Sequence, residues 1–189
     1  MKSELVYSDY DFVRGQLKPG DVIAFSGKGW VSKTIKFFTR SKVSHVGIVL
    51  EISEQGRVMV MESTSLGGKK GVQVNRLSQR LDQYKGELWW LPLNKDVKES
   101  MDMAAFWHFL WEQDGKKYDT WQAIKSALPS FIRREHFDKF FCSELVAGAL
   151  EAAEAIPELN ASEMTPDDVV ELPVYGKKYF QLKGERKAI

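Results

Sequence analysis

The 189-residue chain predicts a mixed α+β fold, in which a strand-rich first half packs against a helical second half. Two patterns carry that expectation. Up to residue 95, apolar residues fall in short runs with period two, separated by Gly, Pro and Ser turns; beyond it they recur at helical spacing. With 43% hydrophobic and 12% aromatic residues the chain can bury a substantial core, so a single domain over 1–189 is the simplest organisation.

Tyr10 to Leu17 reads as a short helix, closed by Lys18-Pro19-Gly20, which hands over to a strand at Asp21 to Phe25. A glycine-flanked loop at 27–29 leads to an amphipathic helix from Trp30 to Thr39, with Lys33, Lys36 and Arg40 along one edge. His45 to Ile52 alternates as a strand, with His45, Gly47, Val49 and Glu51 on one face and Val46, Ile48, Leu50 and Ile52 on the other. Ser53-Glu54-Gln55-Gly56 turns the chain, and Arg57 to Glu62 returns as the second strand of an antiparallel hairpin. A loop at Gly67 to Gly71 precedes short strands at Val72 to Val74 and Leu88 to Leu93. Helices follow at Val97 to Glu112 and Tyr118 to Leu128. Cys142 opens the next, whose stripe is Leu145, Val146, Ala149, Leu150, Ala153 and Ile156. Thr165-Pro166-Asp167-Asp168 carries a cap residue, a proline at the first helical position and first-turn acids, and predicts one more short helix.

The formal net charge is +1, from 27 basic and 26 acidic residues well mixed along the chain. That balance provides no global field for nucleic acid or an anionic membrane, so the expected partner is a discrete substrate. No apolar stretch reaches the roughly 20 residues a membrane-spanning helix needs, and Met1-Lys2-Ser3-Glu4-Leu5 leads into polar sequence, so a cytoplasmic location is expected. One cysteine forms no internal disulfide. Three scattered histidines and that cysteine offer no metal-ligand spacing, and no phosphate-binding or dinucleotide glycine pattern occurs, so no cofactor is expected.

The chemistry centres on Cys142, in Phe140-Phe141-Cys142-Ser143-Glu144-Leu145-Val146. A helix start would favour a thiolate through its free N–H groups and dipole. The alternative is a buried cysteine acting as a small hydrophobe. His45 stands at a strand's start and is the candidate base of a Cys-His nucleophilic pair. His108, in an aromatic helical cluster, and His136, in a polar loop, compete for that role. The third group depends on hairpin register. With Ser53-Glu54 as the loop, His45 faces Glu62 at a Cβ separation of about 5 Å. With Gln55-Gly56 as the loop, Val49 faces Glu62, the carboxylate lies about 13 Å along the strand, and Ser65 or Leu66 faces His45.

The ordered set Gly20-Asp21-Val22-Ile23, Ser44-His45-Val46-Gly47-Ile48, Val60-Met61-Glu62-Ser63, Gly71-Val72, Tyr118-Asp119 and Phe141-Cys142-Ser143-Glu144-Leu145-Val146 resembles the circularly permuted papain-like hydrolases of the NlpC-related superfamily. Within it the chain is most similar to YiiX-like bacterial proteins, relatives of lecithin:retinol acyltransferase. The likeness spans roughly residues 17 to 172, and its order, histidine before cysteine, is that of the permuted branch. It implies a permuted papain-like fold and a Cys142, His45 and Glu62 site with a thioester acyl-enzyme. It also implies Tyr118 near the site, with Ser44 as a further substrate contact beside His45. The backbone N–H of Cys142 is the expected oxyanion donor. The substrate would contain a peptide, amide or acyl group. The first expectation is a cysteine peptidase or amidase. The others are an acyl-lipid or thioester hydrolase or acyltransferase, with Trp30, Phe37 and Phe38 along its groove, and a catalytically silent binding module.

Overall fold

The computed structural model describes residues 3–28, 42–66, 68–116, 137–158 and 164–189. The elements run β1 (Glu4–Tyr7), α1 (Tyr10–Val13) with a 3-10 turn at Arg14–Gln16, β2 (Val22–Gly27), β3 (His45–Ile52), β4 (Val58–Leu66) and β5 (Lys69–Arg76). They continue as α2 (Leu77–Gln83), β6 (Gly86–Leu91), α3 (Lys95–Ser100), α4 (Met103–Gln113), α5 (Phe137–Ala152), α6 (Pro166–Val170) and β7 (Lys178–Lys183). The sequence-predicted helices at Trp30 to Thr39 and Tyr118 to Leu128, and with them Tyr118 and His136, lie outside the described residues.

All seven strands form one sheet in the order β1-β7-β6-β2-β3-β4-β5. Only β1 and β7 pair in parallel; the other neighbours are antiparallel. The alternation along β2 and β3 explains the layering. Val22, Ala24, Val46, Ile48 and Leu50 point to one face, packed with Phe106 and Leu110 of α4 and Leu145, Val146, Ala149 and Leu150 of α5. Ile23, Phe25 and Val49 point to the other, packed with Val13 and Leu17 beside α1 and Leu77 and Leu81 of α2. Every residue of β2 is buried, as a strand covered on both faces must be. Each fully buried aliphatic side chain in these layers contributes about 1.5–3 kcal/mol.

The second half is not purely helical, because β7 returns to the sheet between β1 and β6. One helix was expected from Val97 to Glu112, and two are present. Asp102 Oδ1 accepts the N–H of Ala105 at 2.9 Å and so caps α4, interrupting the helical run after Ser100. α6 begins as its sequence indicates: Thr165 Oγ1 accepts the Asp168 N–H and Asp168 Oδ2 accepts the Thr165 N–H, a reciprocal capping box.

A second buried polar cluster anchors the start of β2. Asp21, fully buried, accepts from the Lys18 N–H (2.9 Å), the Leu93 N–H (3.0 Å) and the Trp90 indole (2.9 Å), and pairs with Lys98 Nζ at 2.7 Å. Burial raises its carboxyl pKa, against the opposing influence of Lys98. Among the described residues no helix is long and apolar enough to cross a membrane.

Candidate active site

The β3–β4 hairpin adopts neither anticipated register. Its loop has three residues, Glu54 to Gly56, closed by the Ser53 N–H on Arg57 O at 2.9 Å and the Gly56 N–H on Ser53 O at 2.7 Å. Gly56 has φ 68°, the left-handed position that three-residue hairpins assign to glycine. The register then shifts once between Val49 and Glu51, where Leu50 is the extra residue of a bulge. Its carbonyl accepts the Trp107 indole N–H at 3.1 Å. Beyond the bulge Ile48 pairs with Met61, and continuing that register sets Gly47 opposite Glu62.

His45 and Glu62 are therefore diagonal neighbours on one face, and Gly47 is what lets them meet. A Cβ there would lie 2.8 Å from Val60 Cγ1 and 3.2 Å from Glu62 Cβ. With no side chain in the way, His45 Nε2 and Glu62 Oε2 come to 2.7 Å. Ser65 is exposed and pairs across to Lys70 of β5.

His45 begins β3, at the end of the sheet, where the two layers meet. Its ring lies 5.1 Å from that of Phe25, which belongs to the α2-side layer. Cys142, a member of the opposite layer, interacts with it by charge and by a side-chain hydrogen bond. Glu62 already occupies Nε2, which leaves Nδ1 as the nitrogen open to the thiol. Ser44 N–H donates to Phe25 O at 2.8 Å, and its hydroxyl accepts the Gly27 N–H at 3.1 Å and donates to Phe25 O at 3.3 Å. The hydroxyl thus ties the entry to β3 onto β2.

The sequence reading missed the shell behind Glu62. Arg80 of α2 donates from Nε to Glu62 Oε1 at 2.6 Å and from Nη2 to Oε2 at 3.1 Å, and Asn75 Nδ2 donates to Oε1 at 3.1 Å. The guanidinium also sits 5.1 Å from the Phe25 ring and 5.4 Å from that of Tyr84. A signal existed: Arg80 shares the buried stripe of α2 with Leu77 and Leu81, where a third apolar residue would be expected.

Two expectations about Cys142 are corrected. The described part of α5 already runs from Phe137, so Cys142 lies at least in its second turn. The dipole effect falls off within the first turn and only the first four N–H groups of a helix are free, so neither a helix-start thiolate nor an oxyanion donor at the Cys142 N–H follows. His45 is the activating neighbour instead. Burial, the largest single influence, would depress the His45 pKa; the charge and hydrogen bond of Cys142, then those of Glu62, outweigh it and raise the value to about 9. Burial would likewise raise Glu62, yet His45 and Arg80 hold it below its usual 4.5. Elsewhere on α5, burial pushes half-buried Glu144 up to about 7. His108 is exposed on α4 beside Glu112.

These shifts fix a pH window. A histidine raised from 6.5 to about 9 adds stability that is complete below about pH 6.5 and disappears as pH rises through 9. A depressed glutamate adds stability that is complete above about pH 4.5 and disappears as pH falls through its folded value. Urea midpoints of wild type and His45→Asn should therefore differ most near pH 5–6 and converge by about pH 10. A gap that widens toward alkaline pH would contradict the imidazolium assignment.

The α+β fold is similar to that of YiiX, and it carries buried cysteine, histidine and glutamate side chains. The solved structure that carries the comparison is that of metalloprotein YiiX from Escherichia coli O157:H7 (DUF1105). It superposes with a TM-score of 0.57 at 18% identity, over 90% of this chain and 98% of that one. At this identity the likeness concerns the fold. No family model matches the sequence, and no curated protein matches it.

Proposed function

We infer that the protein is a cysteine hydrolase of the permuted papain-like kind, acting on an amide bond through Cys142, His45 and Glu62. The observation that carries this reading is the 2.7 Å contact of Glu62 with Nε2 of an imidazole that also interacts with Cys142. Burying a carboxylate, a guanidinium and an imidazole in a core is costly, and a purely structural position would be filled more cheaply by apolar residues.

In the reaction, His45 Nδ1 takes the Cys142 proton, or below about pH 9 already holds it in a thiolate–imidazolium pair, and the sulfur attacks the carbonyl carbon. The C–N bond then breaks as the imidazolium returns that proton to the leaving nitrogen. Water, deprotonated by His45, attacks the thioester, releasing the acid and restoring the thiol. Glu62 holds the Nε2 hydrogen throughout. Tyr118 stays a candidate substrate contact by resemblance, and Ser44 acts here by anchoring the His45 strand.

YiiX is described as a metalloprotein. Among the described residues here, no group of three His, Cys, Asp or Glu side chains is placed to hold a metal. Glu62 is already filled by His45, Arg80 and Asn75, and a cation beside it would meet the guanidinium. These residues do not fit a metal centre, and the mechanism uses none.

One observation favours a second reading. Cys142 has no exposed surface and packs within the apolar layer, as it would in a silent binding module. Iodoacetamide labelling across pH 5–9 separates the two. The hydrolase reading expects rapid labelling at neutral pH that falls at least about tenfold in His45→Ala. Slow labelling, indifferent to His45, would make Cys142 a core residue and support the silent module.

A further inference from the structure

The acceptor sites of Glu62 are completely used. Oε1 receives Arg80 Nε and Asn75 Nδ2; Oε2 receives His45 Nε2 and Arg80 Nη2. An ionised carboxylate offers about four acceptor positions and no donor, so the hydrogen between Glu62 and His45 resides on Nε2. We propose that Arg80 is the positioning residue of this site: its fork holds Glu62 as a filled, ionised acceptor, which fixes the Nε2 hydrogen of His45 and reserves Nδ1 for the proton of Cys142. The proposal rests on the reading of Cys142 and His45 as the reacting pair.

The alternative is a guanidinium that merely fills space between Phe25 and Tyr84. A Met of similar volume would do that without the cost of burying a charge. The charge matters when the imidazole is neutral. Buried Glu62 would then be an attractive home for a proton, and His45 would lose the tautomer that leaves Nδ1 open. The groups facing Glu62 and His45 are Arg80 of α2, Tyr84 just after it, Asn75 of β5 and Cys142 of α5, with Glu87 of β6 near Tyr84. Of these, Arg80 alone carries a fixed positive charge.

The test uses the full chain as wild type, Arg80→Met and Arg80→Lys, with ¹⁵N NMR of the histidine rings and iodoacetamide labelling across pH. Wild type and Arg80→Lys should keep the hydrogen on Nε2 of the neutral ring, whereas Arg80→Met should lose that single tautomer. Removing a fixed cation raises the proton affinity of every neighbour, so the acid limb of Cys142 labelling should move up by about one pH unit in Arg80→Met. That is a roughly tenfold loss of rate on the limb. Arg80→Lys keeps the charge but not the fork, so its limb should fall between those of Arg80→Met and wild type. The tautomer decides: an unchanged Nε2–H in Arg80→Met, or its loss in Arg80→Lys, overturns the proposal whatever the labelling shows. If the wild-type thiol itself shows no activated limb, the reacting-pair reading fails while the ring signal still judges Arg80. Arg80→Gln, a donor without charge, replaces Arg80→Met if that variant does not fold.

Discussion

Glu62→Gln should destabilise the fold by about 3–5 kcal/mol, lowering Tm by roughly 6–20 °C for a chain of this size. The substitution hardly changes shape. What it removes is the anion opposite Arg80, whose side chain is buried and has its Nε and Nη2 committed to Glu62. The new amide presents N–H groups to donors that need an acceptor, so an unpaired guanidinium remains in the core. Adding Arg80→Met to Glu62→Gln should recover much of the loss, because the penalty arises from one charge left without the other. Thermal melts of the two single variants and the double variant at pH 6 check this. Additive losses would mean that the two side chains stabilise the fold independently.

Asp21→Ala should cost about 3 kcal/mol or more, with no direct effect on the Cys142–His45 contact. Its carboxylate satisfies two backbone N–H groups, the Trp90 indole and Lys98 at once. Each buried donor left unmatched costs about 1–3 kcal/mol, and truncation leaves no oxygen to replace the lost one. Asp21→Asn, which keeps one acceptor oxygen, should lose about half as much. Urea denaturation measures the difference. An Asp21→Ala midpoint equal to wild type would show that water substitutes for the carboxylate.

The hairpin shows how far the sequence could be read and where it stopped. The alternation from His45 to Ile52 identified the strand and set Val46, Ile48 and Leu50 on one face, because a period of two is a local property, whereas Ile52, expected beside them, packs in the α2-side layer after the bulge. The pairing of His45 with Glu62 was also within reach, since both lie on the strands of one hairpin. Register was the obstacle. A three-residue loop and an extra residue at Leu50 each alter the pairing, and the bulge carbonyl is satisfied by Trp107, which lies far along the chain. Similarly, β1 and β7 draw their pairing from opposite ends of the sequence, so no window contains both partners. The helix start was set at Cys142, after the Phe140-Phe141 pair, whereas α5 already includes both. Arg80 was missed because the segment between Val74 and Leu88 carries no motif that singles it out. Only tertiary contact shows that the anion it serves is on another strand.

The bulge at Leu50 also determines which mutations the site can survive. Its geometry depends on the number of residues between His45 and Glu62 as much as on their kinds. Side chains at the exposed tip, such as Glu54 and Gln55, can be exchanged without moving either partner. Gaining or losing one residue within the paired strands between them would carry one partner to the opposite face of the sheet. Evolution or engineering can therefore rewrite the spelling of this hairpin's tip, provided its length is conserved and Gly47 stays between the two partners.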